Sequence, residues 1–347
     1  MYDIITIGSA TRDVFLRSKA IEVQPDSQWA SGLEQCFPLG DKITIDELCL
    51  TTGGGATNAA VTFSRLGKLR TACAARVGHD DNSAAVLAEL KNDRVNTRFI
   101  QHDARQQTAF SVIVLAGSGE RTVLIHRGAS SHLNGRAIPW KSLRSRWFYV
   151  TSLDGNLALL RRILAHAKKI GARVAWNPGG GEIIKGWKII APLAKHCAVF
   201  NVNREEAAAL TGHRPNDLNE ILAALRDANR IALVTDGPGG AYACTGKQTW
   251  HIASRDLKVI NSTGAGDAFG SGFVLGLMLA GRNVGAGFIP ARTGGHEVRP
   301  YADSIDYALR LAMANAESVI THMGAKTGIL KRAPSPTTLA MFTVKTP

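Results

Sequence analysis

Asp267 is the residue with the clearest chemical potential. It closes Gly264-Ala265-Gly266 within the run Asn261-Ser262-Thr263-Gly264-Ala265-Gly266-Asp267-Ala268-Phe269-Gly270. The β-prone Leu257 to Ile260 precedes that run and the apolar Ser271 to Leu279 follows it, so the order reads strand, tight glycine turn, helix. Glycine reaches backbone angles that side-chained residues resist, and it lets a ligand approach the main chain. The first amides of a helix have no intrahelical acceptor and point outward as donors to an anion. Two roles are open to Asp267. It can serve as a helix-end partner for local amides, or as a base beside a bound phosphate that takes the proton from an attacking hydroxyl.

A second glycine segment, Thr52-Gly53-Gly54-Gly55-Ala56-Thr57-Asn58, leads into a helical pattern that stops at Gly67. Asn58 offers a donor and an acceptor and can read a hydroxyl, or it can cap locally. No lysine follows at the place a Gly-x-x-x-x-Gly-Lys phosphate loop requires, and the Gly-x-Gly-x-x-Gly pattern is absent. Asp13 lies just past the β-prone Ile4 to Ile7. Loops at strand ends of parallel α/β sheets gather ligands, and a surface aspartate is the plain alternative.

Composition limits the classes. The 347 residues are 45% hydrophobic and 20% charged, enough for one large α/β domain or two smaller ones. No apolar run reaches membrane-spanning length. The start, Met1 to Gly8, lacks a secretory pattern. Cys36, Cys49, Cys73, Cys197 and Cys244 show no Cys-x-x-Cys spacing and read as isolated thiols in a reducing, cytoplasmic setting. His79 reads as a loop residue, without the partner spacing of a zinc site. The formal charge of +13 favours anionic ligands. The basic residues are dispersed and no nucleic-acid motif accompanies them, so no dedicated nucleic-acid partner is expected.

Taken in order, residues 14 to 50 mix β-prone runs with polar breaks and suggest a small sheet or flap. Thr108 to Leu115 and Thr122 to Ile125 flank a polar turn and read as a hairpin that could shield a reaction from water. From Trp147 onward strands alternate with helices: Trp147 to Val150, Leu157 to Lys169, Arg173 to Trp176, Ala198 to Phe200, Ile231 to Val234. Such alternation predicts a doubly wound sheet. Gly281 to Pro300 reads as a solvated insertion, Tyr301 to Thr321 as a long helix, and the tail from Lys331 as chain running over the surface.

These motifs in this order resemble the ribokinase-like, or phosphofructokinase-B (PfkB), carbohydrate kinase family over roughly residues 3 to 330. The resemblance rests on Gly8-Ser9 with Asp13, Gly53 to Asn58, Asn203 with Glu206, Thr235-Asp236-Gly237, and Thr263 to Asp267. It implies a three-layer, mainly parallel α/β core over 1–15, 51–97 and 128–335, a β lid over 16–50 and 98–127, and a tail over 336–347. It implies ATP and Mg²⁺, with Asp267 as base and the amides around Gly264, Ala265 and Gly266 as the anion hole. Asp13, Gly54, Gly55 and Asn58 would position the acceptor, a small sugar or sugar derivative phosphorylated on a primary hydroxyl. Asn203, Thr235 and Gly237 would lie on the nucleotide side with Asn315 toward the adenine, and Glu206 would organise Mg²⁺ through water. Homodimerisation through the lid is a further implication.

Two departures stand out. Many relatives carry aspartate where Asn261 stands, in the Asn261 and Thr263 neighbourhood of a monovalent-cation site, which leaves K⁺ dependence open. The Gly281 to Pro300 segment is also longer than in compact relatives. Two other functions stay open: a nucleoside kinase, with Phe110 or Trp147 as base-stacking or core residues, and a ligand-binding protein without catalysis.

Overall fold

The computed structural model describes residues 1–346 apart from 29–31, 117–120 and 284–298. Most of the polar hairpin turn and of the Gly281 to Pro300 segment therefore lies outside the described residues.

Among the described residues, alternation in the strand sequences builds two cores on one sheet. Ile4, Trp147, Tyr149, Val199 and Leu233 enter one core. Their chain neighbours Ile5, Phe148, Val150, Phe200 and Val234 enter the other, as the two-residue side-chain period of a strand requires. From one edge to the other the sheet runs Thr71–Ala74, Tyr2–Ile7, Ser145–Val150, Arg173–Trp176, Val199–Asn203, Ile231–Thr235, Ala241–Cys244, Thr249–Ile252 and Val344–Lys345. The first six strands are mutually parallel and the last three are added antiparallel.

Helices Leu157–Ile170, Trp187–Ala194, Arg204–Thr211 and Leu218–Leu225 cover one face. Helices Gly55–Val61, Ala265–Asn283 and Arg299–Ile320 cover the other. Leu157–Ile170 shows how sequence sets such a helix. Asn156 caps it by accepting from the Leu159 amide at 3.0 Å, and Leu159, Leu160, Ile163, Leu164 and Ala167 form the buried stripe. The fold is three-layered, doubly wound and mainly parallel, as the motif order implied.

A separate four-stranded sheet has the order Arg121–His126, Ala109–Leu115, Thr11–Arg17, Glu47–Gly53. It reaches further into the chain than a lid of 16–50 and 98–127. Asp13 lies on its third strand, opposite Ser111 on one side and Thr51 on the other. This small sheet thus carries a candidate site residue.

Two readings are corrected here. Leu257 to Ile260 forms no strand. The amides of Ile260 and Asn261 donate instead to the Ile320 carbonyl at 2.8 and 3.2 Å, tying this stretch to the end of the last long helix. The tail does not simply run over the surface. Leu339 and Phe342 are buried, the Arg255 guanidinium lies 4.5 Å above the Phe342 ring, and Val344–Lys345 pairs with Thr249–Ile252 as the ninth strand. Phe342→Ala should lower unfolding free energy by about 3 kcal/mol, as other large-to-small changes at buried aromatics do. Denaturant titration of the two chains measures it.

Candidate active site

Asp267 stands in the first turn of helix Ala265–Asn283. Gly264, one residue before the helix, has φ +84°, and a Cβ there would come within 2.8 Å of the Ala325 carbonyl oxygen. The turn can therefore press onto the 325 backbone only with glycine in that place. Beside Gly266 there is open space within 4 Å of where a Cβ would stand. The Ala265 amide donates weakly to Ser262 O at 3.3 Å and the Ala268 amide closes the first helical bond to Gly264 O at 2.8 Å. The amides of Gly266 and Asp267 fall in the turn that a helix cannot satisfy internally.

Helix Gly55–Val61 arrives beside it. Gly54 precedes that helix with φ +96° and lies so close to Ser9 that a Cβ would sit 2.6 Å from its carbonyl oxygen. This contact fixes the helix start against the end of the first strand. Asn58, 4% exposed, donates from Nδ2 to Asp267 Oδ2 at 2.8 Å, and its Oδ1 has no partner among the described residues. An acceptor aimed inward with nothing to receive is suited to a ligand hydroxyl.

Asp13, Gly54, Gly55, Asn58, Thr263, Gly264 and Asp267 line one cavity of about 240 Å³. Asp13 is 5% exposed and accepts from Thr11 Oγ1 at 2.9 Å. Burial raises its pKa above the usual aspartate value, while hydrogen bonds from Thr11 and Ser111 and the charge of Lys326 pull it down. Burial likewise raises Asp267. The Asn58 bond opposes that rise, the Asp13 charge adds to it, and Lys326 lowers it.

The nucleotide-side candidates form a second group. Asn203 and Thr235 are register partners at the ends of adjacent strands, and Gly237 follows with φ +49°. Asn203 accepts from the Glu206 amide at 2.7 Å and Glu206 accepts from the Asn203 amide at 2.9 Å, a reciprocal cap. The Glu206 pKa is raised by burial, with Asp267 adding to the rise, so the two carboxylates sense one another between the two groups of residues.

Asn315 joins neither group. It is fully enclosed, donates to Ala268 O at 3.0 Å and accepts from the Leu330 amide at 3.2 Å. This corrects its placement toward a base: its amide links helix Ala265–Asn283 to the chain after the last long helix. Phe110 and Trp147 do not line the cavity either, and Trp147 is core.

Several lining residues escaped the sequence reading. Ser152 and Asp154 follow the strand Ser145–Val150, where the strand-end rule could have found them. Their loop is organised by Glu182, which is 1% exposed and accepts from the amides of Leu153, Gly155 and Gly179 at 2.8 to 2.9 Å. Ser130 and Ser131 come from a short 3-10 turn with no pattern of its own, and Ser130 Oγ donates to Ala10 O at 2.8 Å.

A sequence profile for "pfkB family carbohydrate kinase" matches residues 4–332. A ribokinase of Haemophilus influenzae is 23% identical over 299 residues, covering 84% of this chain and 89% of that protein. An aminoimidazole riboside kinase of Salmonella typhimurium is 27% identical over 244 residues, covering 66% and 74%. The structure of a ribokinase from Giardia lamblia superposes with TM-score 0.76 at 20% identity, over 98% of this chain and 99% of that one, a likeness of fold. The chain belongs to the pfkB carbohydrate kinase family, whose chemistry is phosphoryl transfer to an alcohol.

Removing Asn58 takes away a hydrogen bond that favours ionised Asp267. In the role of base expected of it, Asp267 would work only when ionised, and activity would be lost as pH falls through its pKa. Asn58→Ala should move the acid limb of the kcat profile upward by on the order of one pH unit, as a pH series would record.

Proposed function

We propose that the chain transfers the γ-phosphate of ATP to a primary hydroxyl of a small sugar or sugar derivative. The observation that carries this reading is Asp267, bonded to Asn58 at 2.8 Å, facing the same cavity as Asp13. Asp13 accepts hydrogen bonds from hydroxyls of the substrate, and Asn58 Oδ1 accepts one from another. Asp267 takes the proton from the attacking hydroxyl, that oxygen bonds to the γ-phosphorus, and ADP leaves. The free amides at the start of the helix Ala265–Asn283 take up charge on the transferring group.

Serines and threonines dominate the rest of the cavity wall, with Arg127 and Asp154 as its charged members and Ala109 and Ile125 as its apolar ones, and no aromatic ring lines it among the described residues. A sugar needs hydroxyl partners, whereas a nucleobase would gain from a stacking platform. This supports a sugar over a nucleoside.

Glu206 and Asn203 suit Mg²⁺ held through water. A half-buried carboxylate whose pKa is raised by burial and by the charge of Asp267 favours a cation, and no group of three or more metal-binding side chains forms among the described residues. Magnesium would neutralise phosphate oxygens. The Asn261 side chain itself offers K⁺ no free oxygen, while Thr263 Oγ1 beside it is buried and unpartnered among the described residues. Asn261 is fully buried, its Oδ1 accepts from the Thr263 amide at 3.0 Å, and that bond fixes Nδ2, an unpartnered donor, as the other inward-facing atom. Turnover should be the same with K⁺ as with tetramethylammonium at equal ionic strength, measured by ADP release.

Exposed Leu48, Leu50, Leu124 and Ile125 on the edge strands of the lid sheet support a homodimer formed there. The unpaired thiols Cys36, Cys49, Cys73, Cys197 and Cys244 accord with a cytoplasmic setting, and no described helix is long and apolar enough to cross a membrane.

A panel of sugars and nucleosides with Mg-ATP tests the whole reading through acceptor-dependent ADP and a phosphorylated product. Asp267→Ala should reduce kcat on the best acceptor by roughly 10²- to 10⁴-fold. Near-parental turnover in that variant would remove the base assignment.

A further inference from the structure

Lys326 is 2% exposed, and lysine is almost never so enclosed unless paired. Its Nζ donates to Thr52 Oγ1 and lies 3.7 Å from Glu89 Oε2, and Thr52 Oγ1 donates to the same carboxylate. The lysine backbone is held as well. Arg65 donates from Nη1 to Lys326 O at 2.7 Å while its fork grips Asp93 at 2.7 and 2.8 Å. Ala325, the preceding residue, is the one against which Gly264 packs.

Thr52 links the ammonium to the cavity. It is the register partner of Arg12, next to Asp13, and Gly53 lies so close to Asp13 that a Cβ would stand 1.8 Å from Oδ2. The groups that face Lys326 are Glu89 on helix Asp81–Asn92, Asp13 on the lid strand, Cys73 on the strand Thr71–Ala74, Asp93, and Asp267 at the glycine turn. Asp93 is engaged by Arg65, and Glu89 is partly in water. Asp13 and Asp267 both face the cavity, and each raises the other's need for a nearby positive charge.

We propose that Lys326 is a positioning residue of the phosphoryl-transfer site, a resident ammonium that anchors the root of the lid strand Glu47–Gly53 and offsets the charge of the two cavity carboxylates. It touches neither acceptor nor phosphate. Arg127, the other cation at the cavity, is paired with Asp154 at 3.6 Å, so loss of Lys326 removes a positive charge that acts on both carboxylates and raises their pKa.

The inference builds on the kinase reading, so its test is made without ATP or acceptor. Carboxyl-¹³C aspartate is incorporated into the full chain, and the Asp13 and Asp267 resonances are assigned with Asp13→Asn and Asp267→Asn. Their titration is then followed in the parent, in Lys326→Met, and in Lys326→Gln, which keeps a donor for Thr52 if the methionine variant does not fold. Both resonances should titrate at higher pH by at least about half a unit in the uncharged variants, and the acid limb of kcat/KM should move the same way. Glu89→Gln, which breaks the ion pair but keeps the ammonium, should not shift them upward. Unchanged titration in a folded Lys326 variant, or an equal upward shift in Glu89→Gln, overturns the proposal. A parent chain that phosphorylates no acceptor would refute the catalytic reading instead and leave this titration readable.

Discussion

One hydrogen bond joins the two halves of the candidate site. Asn58 begins near the first strand and Asp267 lies more than two hundred residues later, yet the amide of one meets the carboxylate of the other at 2.8 Å. Each side chain sits near the start of a helix packed on the same face of the sheet. Both helix starts must therefore be fixed by something other than this bond. Gly54 does so by lying on Ser9, and Gly264 by lying on Ala325. The close backbone contacts make the geometry; the bond follows from them.

Charge is the second constraint. A buried Asp13 and a half-buried Asp267 in one small cavity repel each other and lose hydration, and both effects favour the protonated form. The base role proposed for Asp267 needs the ionised form. Hydrogen bonds from Thr11 and Asn58 and the enclosed ammonium of Lys326 act against burial. The four-stranded sheet and the helix Ala265–Asn283 thus share an electrostatic problem as well as a surface, because Asp13 belongs to one and Asp267 to the other.

The residues that could be read in sequence were those whose chemistry leaves a local mark. A glycine turn before an apolar helix marks Asp267, three successive glycines mark Asn58, and an Asn-x-x-Glu spacing marks the reciprocal cap of Asn203 and Glu206. Ser130 and Ser131 leave none, since a serine in a turn reads the same whether it faces a cavity or water. Leu257 to Ile260 has strand composition but, among the described residues, no neighbouring strand to pair with. Asn315 lies on a helix whose outward and inward faces both touch protein, so its position along the chain gave no sign that its amide was already engaged.

The sequence by itself determined the alternation that makes a two-sided sheet, the helices that cover it, and the turns where a phosphate could meet main-chain donors. These follow from side-chain period and backbone freedom, which act over a few residues. Only the tertiary structure decided that Asp13 stands on the lid sheet, that Val344–Lys345 adds a ninth strand, and that Lys326 is sealed beneath the site. Each of those depends on what distant chain packs against the residue, and desolvation and pairing across such distances have no period a sequence can display.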